Sequence, residues 1–120
     1  DAMVDLLVNY WLAVRDIWPN LWDLKPKFSR LLHGAGVASL GSVMDAMVEQ
    51  YQASEAAPVP GYDYFYHQLI KIEPFCRWDG GSWEFAPDDI RKWNTVENTS
   101  KDVTLLTEYL VDKYLDTVWA

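Results

Sequence analysis

Residues 2–19 read AMVDLLVNYWLAVRDIWP, and this stretch decides what kind of fold the chain adopts. Val4, Leu7, Trp11, Val14 and Trp18 recur at spacings of three and four, the period of an α-helix rather than a strand. Met3, Leu6, Tyr10 and Ile17 widen the stripe, and Asp5, Asn9 and Asp16 mark the wetter side. Pro19 has no amide hydrogen to continue the ladder and stops the helix. The spacing therefore predicts an amphipathic helix over 2–18 with this stripe turned to a core.

The far end of the chain carries a matching signal. Thr99-Ser100-Lys101-Asp102 has the spacing of a capping box, with Asp in place of the commoner Glu. Val103, Leu106, Leu110, Tyr114 and Val118 follow as a buried stripe. Glu108, Asp112 and Asp116 stand four apart on the opposite face, where like charges repel slightly and are expected to be solvated.

Two more helices are predicted between these. One begins near Gly36 to Ser39 and runs to about Gln52, with Leu40, Met44, Met47 and Tyr51 inward; a close helix crossing would account for Gly41 inside it. Pro58 and Pro60 hold Ala53–Gly61 as an extended loop. The other helix spans Tyr62–Glu73, with Tyr62, Phe65, Leu69 and Ile72 on one side and Pro74 at its end. Phe28–Leu32 reads as either a helical turn or a short extended piece. Asp79-Gly80-Gly81 predicts a hairpin turn that brings Trp78 near Trp83, because tight hairpin turns need the positive φ that glycine adopts. Pro87–Trp93 is expected to be a further turn or short helix. The fold class is mainly α: a small four-helix, orthogonal-bundle-like domain with one short β-hairpin, residues 1–120 forming a single domain. Because the chain opens on Asp1 rather than Met, it is expected to be the C-terminal fragment of a longer protein.

Composition narrows the function classes. Of 120 residues, 50% are hydrophobic and 15% aromatic, enough for a packed core and too much for a disordered tail. No apolar run approaches the ~18 residues of a membrane span. Ten basic against 18 acidic residues leave a net charge of -8, which repels nucleic acid and anionic membrane at long range. Lys25, Lys27, Arg30 and His33 nevertheless form a local basic patch, a candidate contact for a phosphate or DNA backbone. Gly34 and Gly36 join it, since a glycine-rich turn ahead of a helix presents backbone N–H groups to anions. The same Gly34-Ala35-Gly36 also reads as a tight turn between helices. It is not preceded by the strand a dinucleotide-binding unit requires. Cys76 is the single cysteine, so an intrachain disulfide is excluded and a reducing cytoplasm is the expected compartment. His33 and His67 are too isolated to suggest a metal centre, and no cofactor is expected. Among the seven tryptophans, Trp78, Trp83 and Trp93 are divided between hairpin packing and an interaction surface.

The order of elements resembles the C-terminal helical part of DGQHR-domain proteins, relatives of the DndB-type proteins of DNA sulfur modification. Three stretches carry the resemblance: Leu7-Val8-Asn9-Tyr10-Trp11 with Trp18-Pro19; Leu31-Leu32-His33-Gly34-Ala35-Gly36-Val37-Ala38-Ser39-Leu40; and Trp93-Asn94-Thr95-Val96-Glu97-Asn98-Thr99-Ser100-Lys101-Asp102 followed by Leu105-Leu106-Thr107-Glu108-Tyr109-Leu110. The family's naming signature is absent; Asp79-Gly80-Gly81-Ser82 only echoes it, so no catalytic or DNA-contacting residue carries over. The resemblance implies a non-catalytic, bacterial, cytoplasmic accessory or interaction domain associated with DNA modification (phosphorothioation) or with phage and mobile-element defence. Its implied partners are the protein's own N-terminal domain and other members of a DNA-modification system, with DNA contact weak or indirect and no membrane. A direct nucleic-acid-binding module using the basic patch is the alternative, and an enzyme a more distant one.

Overall fold

A computed structural model describes residues 1–54 and 59–119. Four α-helices are present: α1 (Ala2–Ile17), α2 (Gly34–Ser54), α3 (Tyr62–Ile72) and α4 (Ser100–Trp119). A two-stranded antiparallel sheet, β1 (Ser82–Ala86) and β2 (Asp89–Lys92), lies between α3 and α4 in the chain. The mainly helical fold with one short hairpin is thus the one the sequence indicates. No helix among the described residues is long and apolar enough to cross a membrane.

Each helix end has a local cause. The Asp1 carboxylate accepts from the amides of Met3 and Val4, capping α1. Gly61 precedes α3, and Glu73–Phe75 tightens into a 3-10 turn at Pro74. At α4 the Thr99 hydroxyl accepts from the Asp102 amide at 3.2 Å, one half of the expected capping box. The other half is redirected. Asp102 accepts from the Glu97 amide at 2.9 Å and pairs with Arg91 of β2 at 3.2 Å, so the cap also fastens the hairpin to α4.

α2 packs chiefly on α4, and α1 on α3. The core collects Leu6, Tyr10 and Val14 of α1, Leu40, Val43 and Met47 of α2, Phe65, Leu69 and Ile72 of α3, and Leu106, Leu110 and Tyr114 of α4. Tyr10 is fully buried, its ring edge-on to Phe65 at 5.1 Å, and its hydroxyl donates to the Leu40 carbonyl at 2.6 Å. That bond ties α1 to α2 and satisfies a phenol that would otherwise be buried unpaired. A second tie joins α1 to α3: the Tyr62 hydroxyl donates to Asp16 at 2.6 Å, which holds the Asp16 carboxyl below its usual range and pushes the Tyr62 phenol up to about 12.

Several expectations need correction. In α1 the buried row is Leu6, Tyr10, Ala13 and Val14, so the stripe is rotated from the expected one, and Val4 and Leu7 face solvent. α2 starts at Gly34, two residues earlier than expected, and runs through Ser54; Ala53 and Ser54 are therefore helical, while residues 55–58 of the expected loop lie outside the described residues. Gly41 faces open space rather than a close helix crossing. The hairpin turn is at Pro87–Asp88, not at Gly80–Gly81. A hairpin needs two paired extended arms, and the residues between the 3-10 turn at Glu73–Phe75 and Gly80 are irregular and pair with no strand. Proline preset for the first turn position and Asp after it suit the turn at 87–88 instead. Gly81 still takes a positive φ of 72°, and its carbonyl accepts from the Trp93 amide at 3.0 Å, adding one bond beyond the ladder. The register shifts between Glu84 and Ala86, making Phe85 the extra residue of a bulge.

Candidate functional site

The segment expected to bind phosphate is only partly open: Lys25, Lys27 and Gly34 are exposed, Arg30 and His33 half-buried, and Gly36 buried. Arg30 has a side chain only 12% exposed. Its guanidinium donates to three backbone carbonyls: Val96 at 3.0 Å, Asn94 at 2.7 Å, and Pro26. It also lies 5.9 Å from the Trp93 ring, and its own amide donates to the Trp78 carbonyl at 2.7 Å. Arg30 is therefore a clasp that binds the α1–α2 connector to the chain ahead of α4, more than sixty residues later. Three of the five guanidinium N–H donors are held by carbonyls and Glu97 lies 3.8 Å away, which leaves at most two donors for a ligand phosphate.

His33 is equally committed. Its Nδ1 accepts from the Ala35 amide at 3.2 Å, so the ring caps α2. An accepting Nδ1 belongs to a neutral imidazole. Burial, aided by the nearby Arg30 charge, pulls the His33 pKa below its ordinary value, in keeping with that role. Gly36 is buried, and a Cβ there would stand 2.5 Å from the Leu31 carbonyl oxygen and closer still to that of Arg30. Gly34 lies against the Asn98 side chain. These two glycines let the start of α2 approach the connector and the 94–98 segment, which accounts for them by packing. Lys25 and Lys27 are the exposed cations of the expected group and are free of ion pairs among the described residues, with Lys27 5.8 Å from the Phe28 ring.

The tryptophans divide differently from the expectation. Trp78 and Trp83 are core residues, 2% and 0% exposed, and do not form an interaction surface. Their rings meet edge to face at 5.1 Å, the proximity the sequence suggested, though across the chain entering β1 rather than across a hairpin turn. Trp18 joins from the end of α1 at 6.0 Å, and Tyr109 of α4 from the other side at 5.9 Å. This aromatic stack is the second half of the core. Trp93 is half-buried beneath Arg30.

Cys76 donates from its thiol to the Ile72 carbonyl at 3.4 Å, and burial pushes its pKa up, opposite to what an activated nucleophile requires. Among the described residues, no three His, Cys, Asp or Glu side chains gather as a metal-holding group.

What the fold does leave open is an apolar face at the start of α1. Met3, Val4, Leu7 and Val8 are 61%, 54%, 38% and 49% exposed. On a helix, residues three and four apart are neighbours, so these four form one continuous patch over the first two turns, bordered by half-buried Trp11. Single exposed apolar side chains are ordinary; a contiguous group marks a contact surface. The signal was present in the sequence. Thirteen of the 17 residues from 2 to 18 are hydrophobic, too many for one face of a surface helix, so some had to point outward. A second feature is a trough between β1 and α4, lined by Phe85, Leu105, Tyr109, Glu84, Glu108, Asp112 and Asp116 and by one cation, Lys113, with a volume of about 330 Å³. Three of its carboxylates were legible as a row four residues apart. The fourth, and the aromatic floor, depend on where the hairpin packs.

No family model, curated protein or solved structure matches this chain.

Proposed function

We propose that this chain is a non-catalytic interaction domain of a DGQHR-like protein, serving DNA modification or defence against phage and mobile elements in the bacterial cytoplasm. It acts by docking through the exposed face of α1 onto the DGQHR-bearing N-terminal part of the same protein. The observation that carries this reading is the contiguous patch of Met3, Val4, Leu7 and Val8, four apolar side chains left to solvent while the rest of α1 is well packed. The resemblance of three stretches to DGQHR-type C-terminal regions supplies the partner. The alternative of direct DNA binding loses its principal members: Arg30 is spent on carbonyls and His33 holds its acceptor role as a neutral ring. Two exposed lysines against a net charge of -8 are a weak electrostatic footing for a duplex.

A paired titration tests this. The 120-residue chain should leave duplex DNA unbound at about 150 mM salt. It should bind a separately produced DGQHR-bearing segment, with Val4→Asp plus Leu7→Asp weakening that complex by about tenfold or more, since a carboxylate would be buried unpaired at the contact. Salt-sensitive DNA binding abolished by Lys25→Ala plus Lys27→Ala would favour the nucleic-acid reading instead. Absence of any complex with the DGQHR-bearing segment would remove the docking reading.

A further inference from the structure

The trough between β1 and the outer face of α4 points to a second partner class. We propose that it docks a lysine- or arginine-rich segment of a partner protein. It shares no residue with the α1 face, so the inference stands or falls independently of that surface.

The trough has a rigid aromatic floor. Phe85 and Tyr109 meet edge to face at 5.3 Å. Phe85 stacks on the buried Trp83 at 6.1 Å with planes only 7° apart, and the Tyr109 hydroxyl donates to the Phe75 carbonyl at 3.3 Å. Both rings are thus fixed by the core, which leaves little ordering to be done on binding. A neighbouring depression of about 400 Å³ shares Glu84, Phe85 and Lys113 and reaches Ile90, an apolar side chain 59% exposed on β2. Together they make one groove long enough for the stem and head of a basic side chain, apolar below and polar above.

Its walls are acidic. The carboxylates of Glu84, Glu108, Asp112 and Asp116 make no hydrogen bond or ion pair with any of the described residues. On α4 the last three stand four residues apart, about 6 Å of rise between neighbours, so they form a row about 12 Å long. A basic helix presenting cations every fourth residue has the same spacing. The aromatic groups here already receive cations from the chain itself. Lys113 Nζ lies 5.0 Å from the Phe75 ring and 5.6 Å from that of Tyr109, and the Arg91 guanidinium lies 5.9 Å from Phe85. Four carboxylates against Lys113 leave the trough lining three negative charges in excess, so a docked lysine or arginine would combine the same ring attraction with that surplus. The charge pattern disfavours the other occupants. A second copy brings its own net -8, and a nucleic acid brings phosphates to four carboxylates.

The test uses the whole chain and two labelled amphipathic peptides of about 18 residues, one with lysine at every fourth position and one with glutamate there. Anisotropy should show binding of the lysine peptide only, weakening by about tenfold between about 50 and 300 mM salt. Glu108→Gln, Asp112→Asn and Asp116→Asn together should weaken it by about fivefold or more at an unchanged melting temperature. Glu84→Lys provides an independent check from the strand side. Val4→Asp plus Leu7→Asp should leave this binding intact, which separates its failure from failure of the α1 docking. The proposal is overturned if the lysine peptide does not bind, if the glutamate peptide binds as well, or if the carboxamide variant binds as tightly as the parent. It is also overturned if the trough instead mediates self-association that the same variant abolishes.

Discussion

The first two turns of α1 and the basic residues of the connector ahead of α2 were read in opposite senses by the sequence, and the structure reverses Leu7 and Arg30 in particular. Met3, Val4 and Leu7 looked like core, yet they lie open, with Val8 exposed beside them. The basic connector looked like a surface site, yet Arg30 is one of the better-shielded charges in the chain and is locked to three carbonyls. Hydrophobicity and charge describe what a side chain tolerates. They do not say which neighbour arrives.

That contrast is open to direct attack by mutation. The largest effect is expected at the clasp. Arg30→Ala removes three hydrogen bonds, one of them to the carbonyl of buried Val96, and should cost about 1–3 kcal/mol in denaturant unfolding. By comparison, Leu7→Ala on α1 should change stability by no more than about 0.5 kcal/mol. If Leu7→Ala costs as much as Arg30→Ala, the α1 face is not free, and the docking argument built on it collapses.

The glycines sharpen the comparison. Gly36→Ala drives a Cβ into two backbone carbonyl oxygens and should lower stability by about 1–3 kcal/mol. Gly41→Ala, in open space within the same helix, should raise it by up to about 1 kcal/mol through helix propensity alone. Thermal melts of the two variants should therefore move in opposite directions. A shared direction would mean that the start of α2 does not press on the connector.

The smallest effect concerns pH. His33 caps α2 as a neutral ring, with its pKa lowered by burial and by Arg30 and partly restored by Glu97. Its unfolded form takes up a proton first as pH falls. The His33 contribution is therefore complete above the ordinary value of 6.5 and is lost as pH falls through the lowered folded value. A helix cap is worth roughly 1 kcal/mol, which bounds the change. His33→Asn, a cap that does not titrate, should flatten the stability profile on the acid side of 6.5. An unchanged slope would place the protonation elsewhere.

Much of the fold was legible because it is local. Four helices are periodic within their own windows, Pro19 and Pro74 mark ends by removing an amide hydrogen, and Thr99 caps α4 through an amide three residues on. The hairpin was legible in kind but not in place. Glycines at 80 and 81 permit a reversal, but residues 76–79 ahead of them are irregular and supply no strand to pair. The candidate site was legible in part. The row of Glu108, Asp112 and Asp116 follows from helical spacing, whereas its pairing with Glu84 and Phe85 follows from the hairpin docking against α4.

The chain by itself determined its helical period, its breaks, its caps and its acidic balance, because each arises among residues close in sequence. Only the tertiary structure decided which side of α1 turned inward, why Gly36 must lack a side chain, and that Trp78 and Trp83 became core. It also decided the fate of Arg30, whose carbonyl partners at Asn94 and Val96 stand 64 and 66 residues away. The physical reason is common to all four. A helix period sets the spacing of a face but not its phase, and a buried donor takes whichever acceptor the packed chain brings within reach.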